Sequence, residues 1–213
     1  MGPARLRTRI KICGITRPGD ARAAAEAGAD AIGLVFYPPS PRYLSTERAA
    51  EIRDALPPFV QSVALFVNPD AAQVAQVLGR LRSSLLQFHG EETPEFCAQF
   101  GVPFVKAYRA KGGATKGAAL EYLRPFSRAA AWLFDSHVPE YGGVGEPFDW
   151  SLVPAADKPV ILSGGLSTGN VAEAIRRVRP WGVDVSTGVE SAKGIKDAAK
   201  IAAFIAEVRN ADV

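Results

Sequence analysis

Eight apolar runs of strand length recur about every 25 residues, each followed by a segment that is not strand-like, and this alternation restricts the fold more than any other feature. The runs are IKICGI (10–15), AIGLVF (31–36), SVALFV (62–67), SLLQFHG (84–90), PFVKAY (103–108), AAWLFD (130–135), PVILSGG (159–165) and GVDVSTG (182–188). They are nearly continuous in apolar character, as parallel strands covered on both faces must be. Several of the intervening segments carry a helical period. Ala49, Ile52 and Leu56 share a face over 46–56, and Ala71, Val74, Leu78 and Leu81 share one over 70–81. Val171, Ile175 and Val178 do so over 169–178, and Ile201, Ile205 and Val208 over 195–209. Segment 17–28 is alanine-rich and ends at Gly28, a helix stop. After the sixth run comes a glycine-rich loop, YGGVGE (141–146), then only a short helical stretch near Trp150–Val153.

Eight strand–helix units predict an α/β fold, a closed (β/α)₈ barrel. The rival is an open doubly wound sheet, which carries its glycine fingerprint after the first strand. Here the first strand runs into Cys13-Gly14-Ile15-Thr16, and the glycine-rich signals follow strands seven and eight. That placement favours the barrel. No linker or composition break divides the chain, so residues 9–213 are expected to form one domain behind a loose tail over 1–8.

Bulk properties narrow the partners. A net charge of +3 with scattered Lys and Arg is too small to argue for nucleic acid. No apolar stretch approaches the ~20 residues of a membrane span. MGPARLRT lacks the apolar middle of a signal peptide, and a cytoplasmic location is expected. The two cysteines, Cys13 and Cys97, lie far apart in sequence and do not make up a disulfide framework, and two cysteines with two histidines, none at ligand spacing, argue against a structural metal site. The tryptophans Trp132, Trp150 and Trp181 read as packing groups.

In a (β/α)₈ barrel the active site lies at the C-terminal ends of the strands. The polar residues there are Cys13, Arg42, Asn68, His89, Lys106, Asp135, Ser163 and Ser186. SGGLSTGN (163–170) leads from strand seven into a helix and STGVE (186–190) follows strand eight. Glycines let a backbone approach closely, and free N–H groups at a helix start favour an anion, so these loops are the expected phosphate site. The alternative is that Gly164, Gly165 and Gly188 only turn the chain. Cys13 is either a buried small hydrophobe or a reactive thiol; its place at a strand end before a glycine leaves room for a ligand. Cys97, in PEFCAQFG, reads as packing in the outer layer. Asp135 ends an apolar strand, as a functional carboxylate, a helix cap or a surface acid. His89 either meets a ligand or bonds loop backbone, and His137 is expected in solvent. Arg42 stands in a loop stiffened by Pro38, Pro39 and Pro41, and is either exposed or aimed at a carboxylate or phosphate.

KICGIT, GLVFYPPSPRYLS, LQFHG, LFDS, YGGVGEPFDW, ILSGGLSTGNVAEAI and GVDVSTGVESAKGIKD, in this order, resemble the phosphoribosylanthranilate isomerase family over almost the whole chain. The resemblance implies a single-domain (β/α)₈ barrel that works without metal or organic cofactor. It implies an Amadori rearrangement of N-(5-phosphoribosyl)anthranilate to 1-(2-carboxyphenylamino)-1-deoxyribulose 5-phosphate, in tryptophan biosynthesis. By the same resemblance Cys13 is the general base and Asp135 the general acid. Arg42 meets the anthranilate carboxylate, and His89 and Asp184 stand in the substrate pocket. Gly164, Gly165, Ser186, Thr187 and Gly188 form the phosphate cradle. The partner is a phosphorylated small molecule, with no nucleic acid or membrane, and the assembly is a monomer or homodimer. Two departures stand out. The family's GGTGK is here Gly142-Gly143-Val144-Gly145-Glu146-Pro147, which removes a hydroxyl and a cation from a loop expected to close over substrate. STG replaces a commoner SSG and keeps a hydroxyl.

The assigned roles oppose ordinary acidities, about 3.9 for Asp and about 8.5 for Cys. The site is therefore expected to raise Asp135 and lower Cys13, or to use the minor pair of forms. Two other readings fit the residues: a related phosphate-binding barrel isomerase acting on another phosphoribosyl aminoaldose, as in histidine biosynthesis, and a non-catalytic binder of phosphoribosyl ligands. The first is expected to carry a carboxylate at the first strand end, and the second has no need of the Cys13 and Asp135 pair.

Overall fold

The eight apolar runs close on themselves. The computed structural model describes residues 7–81, 83, 85–111, 113–136 and 148–212. Its strands β1 (Arg9–Ile12), β2 (Ala31–Val35), β3 (Gln61–Phe66), β4 (Leu85–Phe88), β5 (Phe104–Ala110), β6 (Ala131–Ser136), β7 (Val160–Leu162) and β8 (Gly182–Val185) form a closed barrel. Every neighbouring pair is parallel, and β8 pairs with β1 in the register Lys11 to Asp184. Outside lie α1 (Pro18–Ala27), α2 (Thr46–Asp54), α3 (Ala71–Leu81), α4 (Pro94–Ala98), α5 (Lys116–Leu123), α6 (Val171–Val178) and α7 (Ala198–Ala211).

Local chemistry sets the helix ends. α1 opens with Pro18 at its start and stops at Gly28, whose φ of +100° suits a left-handed cap that bonds Ala24 and Ala25 carbonyls. Ser45, Thr93 and Thr115 accept backbone N–H groups at the starts of α2, α4 and α5. The helix expected over 195–209 begins only at Ala198. Ile195–Lys196 (β10) instead pairs antiparallel with Glu190–Ala192 (β9), and Asp197 caps α7 by accepting from Ala199 and Lys200. Several apolar runs are shorter as strands than expected, among them those of β7 and β8. β7 stops at Leu162 before Gly164 and Gly165 turn to φ of +79° and +65°. β8 stops at Val185, and Thr187–Val189 is a 3₁₀ turn. Near Trp150 there is a single 3₁₀ turn, Trp150–Leu152.

Strand side chains alternate between the helix layer and the barrel interior. Ile10, Ile12, Ile32, Leu34, Ala64, Phe66, Leu86, Phe88, Phe104 and Phe134 face outward and pack with the helices. Phe66 stacks between Phe36 and Phe88, with ring centroids 5.4 and 6.2 Å apart. Each such buried ring contributes about 1.5–3 kcal/mol relative to exposure. The interior holds two smaller clusters: Val105, Ala107, Ala131, Leu133 and Ile161 deeper down, and Cys13, Val35, Leu65 and Val67 with Tyr37 at the mouth.

Lys106 belongs to the outward set, so it does not reach the mouth as its strand-end position suggested. It is fully buried and bonds Glu92 at 2.7 Å and the Gly90 carbonyl. Asn68 also turns aside: its N–H donates to Glu92 and its carboxamide oxygen accepts from Glu91 N–H. Of the tail expected over 1–8, residues 1–6 lie outside those described. Arg7 pairs with Asp30, and Thr8 bonds Asp212 through both its N–H and its hydroxyl. Trp132 and Trp150 are buried, but Trp181 is 45% exposed and so is only partly a packing group. No described helix is long and apolar enough to cross a membrane.

Candidate active site

The inward positions at the C-terminal ends of the strands meet around one cavity. Cys13, Arg42, His89, Asp135, Gly164, Gly165, Asp184, Ser186 and Thr187 all line it, together with Ser163, Gln87, Arg109 and Ser136. Gly188 does not. It packs against the backbone of Leu166, where an added Cβ would lie 2.1 Å from the carbonyl oxygen, so this glycine permits the close approach of the β7 and β8 loops.

Cys13 stands at the end of β1, held by a 2.8 Å bond from its N–H to the Val185 carbonyl. Burial pushes its thiol above the ordinary value, outweighing the cations Lys11 and Lys196 that act the other way. The thiol is thus raised, not lowered as a base would require. Below it Lys11 pairs with Asp184 at 2.8 Å, both side chains buried. Burial opposes the Lys11 charge, but Asp184 and Cys13 together outweigh it and raise this lysine.

Asp135 lies one residue before the end of β6, on the inward face. Its Oδ1 accepts the Ser136 N–H at 2.8 Å and its Oδ2 lies 2.9 Å from His89 Nε2. The Gln87 amide nitrogen is 3.0 Å from His89 Nδ1 and can only donate, so the imidazole carries its proton on Nε2 and donates to Asp135. His89 therefore meets a side chain, not loop backbone. Gly164 must be glycine for this arrangement: a Cβ would sit 2.4 Å from Ser136 N and 2.8 Å from Asp135 Oδ1.

Arg42 is neither exposed nor idle. Its Nε and Nη2 each donate to Glu190 at 2.7 Å, a two-bond fork at 5% exposure. Lys196 joins the same carboxylate at 2.9 Å and also donates to the Ser186 carbonyl and hydroxyl. Burial would raise Glu190, but the hydrogen bonds of Arg42 and the charge of Lys196 hold it below the usual carboxylate range. On the far side of the cavity Asn170 braces the glycine loop, accepting from Ser167 N–H at 2.8 Å and donating to the Gly165 carbonyl at 2.9 Å.

Cys97 is buried on α4 away from the cavity, with its thiol pushed up to about 12 by burial. His137 and the loop 141–147 lie outside the described residues. Among the described residues no group of three His, Cys, Asp or Glu side chains is placed to hold a metal ion. Strand-end inspection overlooked Lys11, Gln87 and Arg109, which the two-residue strand period would have found. Glu190 and Lys196 had no such signal, because they reach the mouth through the small hairpin.

A thiol and a carboxylate lining one barrel mouth, beside glycine and hydroxyl loops after β7 and β8, mark a (β/α)₈-barrel enzyme. The model of the N-(5'-phosphoribosyl)anthranilate isomerase family matches residues 10–207. An enzyme of that name from Leptothrix cholodnii is 52% identical over 213 residues, covering 100% of this chain and 94% of its own. The crystal structure of phosphoribosyl anthranilate isomerase from Thermotoga maritima superposes with a TM-score of 0.87 at 41% identity, covering 95% of this chain and 99% of that one; that enzyme is also described as dimeric. A further isomerase structure, in complex with reduced 1-(o-carboxyphenylamino)-1-deoxyribulose 5-phosphate, has a TM-score of 0.82 at 37% identity, with 95% and 99% coverage. The chain belongs to the N-(5'-phosphoribosyl)anthranilate isomerase family.

Proposed function

We propose that this enzyme converts N-(5'-phosphoribosyl)anthranilate to 1-(2-carboxyphenylamino)-1-deoxyribulose 5-phosphate in tryptophan biosynthesis, by acid–base catalysis in the cytoplasm. The observation that carries the reading is the convergence of Cys13, Asp135 and Arg42 on one cavity in a chain that matches the family from residue 10 to residue 207.

Asp135 acts as the acid. It gives a proton to the ribose ring oxygen as the bond from that oxygen to C1 breaks, and the anthranilate nitrogen lone pair forms the C=N bond of the Schiff base. His89, bonded to Asp135, orients the carboxyl. Cys13 acts as the base. Its thiolate takes the proton from C2, and the electron pair left behind forms a C1=C2 bond while the C=N electrons return to nitrogen. The resulting enolamine tautomerises, its C2 hydroxyl losing a proton and C1 gaining one, to the ketone. β1 and β6 lie three strands apart through β7 and β8, which suits an acid and a base acting from different sides of the sugar. Arg42 binds the anthranilate carboxylate through the N–H groups that its fork to Glu190 leaves over. Gly164, Gly165, Ser186 and Thr187 hold the phosphate, Gly188 allowing their loops to meet, and Asp184 forms the floor. The enzyme works as a monomer or a homodimer.

Purified protein given phosphoribosylanthranilate is expected to abolish the fluorescence of the anthranilate group at a rate proportional to enzyme. It is expected to leave the histidine-pathway aminoaldose unchanged. No fluorescence loss would remove the proposal. Glu190→Gln weakens the fork that holds Arg42 and is expected to raise KM several-fold with a smaller change in kcat, since it loosens ground-state binding; steady-state kinetics reads the split.

A further inference from the structure

The buried lysine beneath the base has no part in the reaction as derived so far. We infer that Lys11 is the counter-ion of the Cys13 thiolate, a positioning residue that acts through the base without touching substrate; this rests on Cys13 being the base. Three geometric facts support it. Lys11 and Cys13 are two residues apart, on a strand and its immediate end, so both face the barrel interior. Gly33 on the neighbouring strand leaves the space that both fill: an added Cβ there would lie 2.6 Å from the Cys13 sulfur and 3.2 Å from Lys11 Cε. Asp184, in direct register on β8, fixes the ammonium from the side at 2.8 Å. Lys11 itself does not line the cavity.

A buried ion pair is a weak source of stability, because desolvation offsets the attraction. Stability alone therefore gives little reason for Lys11 and Asp184 inside the barrel. The charged groups acting on Cys13 are Lys11 from β1, Asp184 from β8, Lys196 from β10 and Arg42 from the loop after β2. Arg42 and Lys196 share Glu190, which absorbs much of their charge. Lys11 is the cation on the same stretch of chain and the same face as Cys13, packed with it in the space beside Gly33. It favours the thiolate, and when the thiolate takes the C2 proton the Lys11–Asp184 pair remains as a neutral unit. Lys11 and Asp184 thus push Cys13 in opposite directions, which gives the inference a test of sign.

The rate of Cys13 alkylation by iodoacetamide, followed by peptide mass spectrometry against pH, reads the thiolate directly; buried Cys97 in the same digest is the internal control. Lys11→Met is expected to move the half-point of Cys13 alkylation up by about one pH unit or more. Asp184→Asn is expected to move it down, and Lys11→Met/Asp184→Asn to place it between wild type and Lys11→Met. Turnover by Lys11→Met at neutral pH is expected to fall by about tenfold for each unit of that shift, to recover as pH rises, and to leave KM nearly unchanged. An unmoved half-point in Lys11→Met overturns the inference, whatever Cys13→Ala does to turnover. If Lys11→Met does not fold, an upward shift in Asp184→Asn, or a double variant at or below wild type, overturns it instead. Full turnover by Cys13→Ala would remove the base assignment while leaving the effect of Lys11 on the thiol measurable.

Discussion

Cys13→Ala is expected to lower kcat by about a hundredfold to ten-thousandfold, the range of a single positioned acid or base, with little change in KM or in the melting curve. The substitution removes one sulfur from a small cluster with Val35, Leu65 and Val67, so packing loss is slight beside the loss of the base. Asp135→Asn is expected to cut kcat over a similar range but is a less clean test. Its carboxamide oxygen can still accept from the Ser136 N–H, but its NH₂ would face the His89 Nε2–H, donor against donor. The imidazole would have to change tautomer and would then meet the Gln87 amide nitrogen, another donor. Part of the loss in Asp135→Asn therefore comes from a displaced His89. Gln87→Glu in the Asp135→Asn background gives the changed tautomer an acceptor, and should restore local order without restoring turnover. Turnover near wild type in Cys13→Ala would assign proton abstraction to another group.

Lys106→Met is expected to destabilise the fold by about 3–5 kcal/mol, because it leaves Glu92 buried without its charge partner. Lys106 is fully buried and the Glu92 side chain is 2% exposed. The carboxylate also accepts from the Asn68 and Gly90 N–H groups, so it cannot simply turn away. At about 2–4 °C per kcal/mol for a chain of this size, the melting temperature should fall by roughly 6–20 °C. Lys106→Met/Glu92→Gln keeps an acceptor for both backbone donors and removes the stranded charge, so most of the loss should return. Circular dichroism melts of the three proteins decide this. Equal melting temperatures for Lys106→Met and wild type would show that Glu92 finds solvent or another cation.

Much of the site was readable because strand ends can be counted. Cys13, His89, Asp135 and Ser186 are each the inward residue at or just past a strand end, and all line the cavity. Lys106 shows where counting ends falls short. It is near the end of an apolar run in the sequence, but β5 continues to Ala110, and Lys106 has outward parity within it. Arg109, three residues on, is the inward one at the mouth. The proline-stiffened loop correctly drew attention to Arg42, but nothing local pointed to Glu190. The two are 148 residues apart and meet only because the hairpin of β9 and β10 folds over the β8 end.

By itself the sequence determined the barrel, since eight apolar runs separated by helix-forming segments bury their surface best as parallel strands wrapped by helices. It also determined the family, through motifs spread from KICGIT to the eighth strand. Only the tertiary structure decided the electrostatics of the mouth: Cys13 raised by burial despite Lys11, Asp135 held by His89, and Arg42 forked onto Glu190. The physical reason is range. Apolar periodicity is a property of neighbours in sequence, whereas burial and Coulomb energy depend on groups brought together from distant strands, such as Lys11 and Asp184, by closure of the barrel.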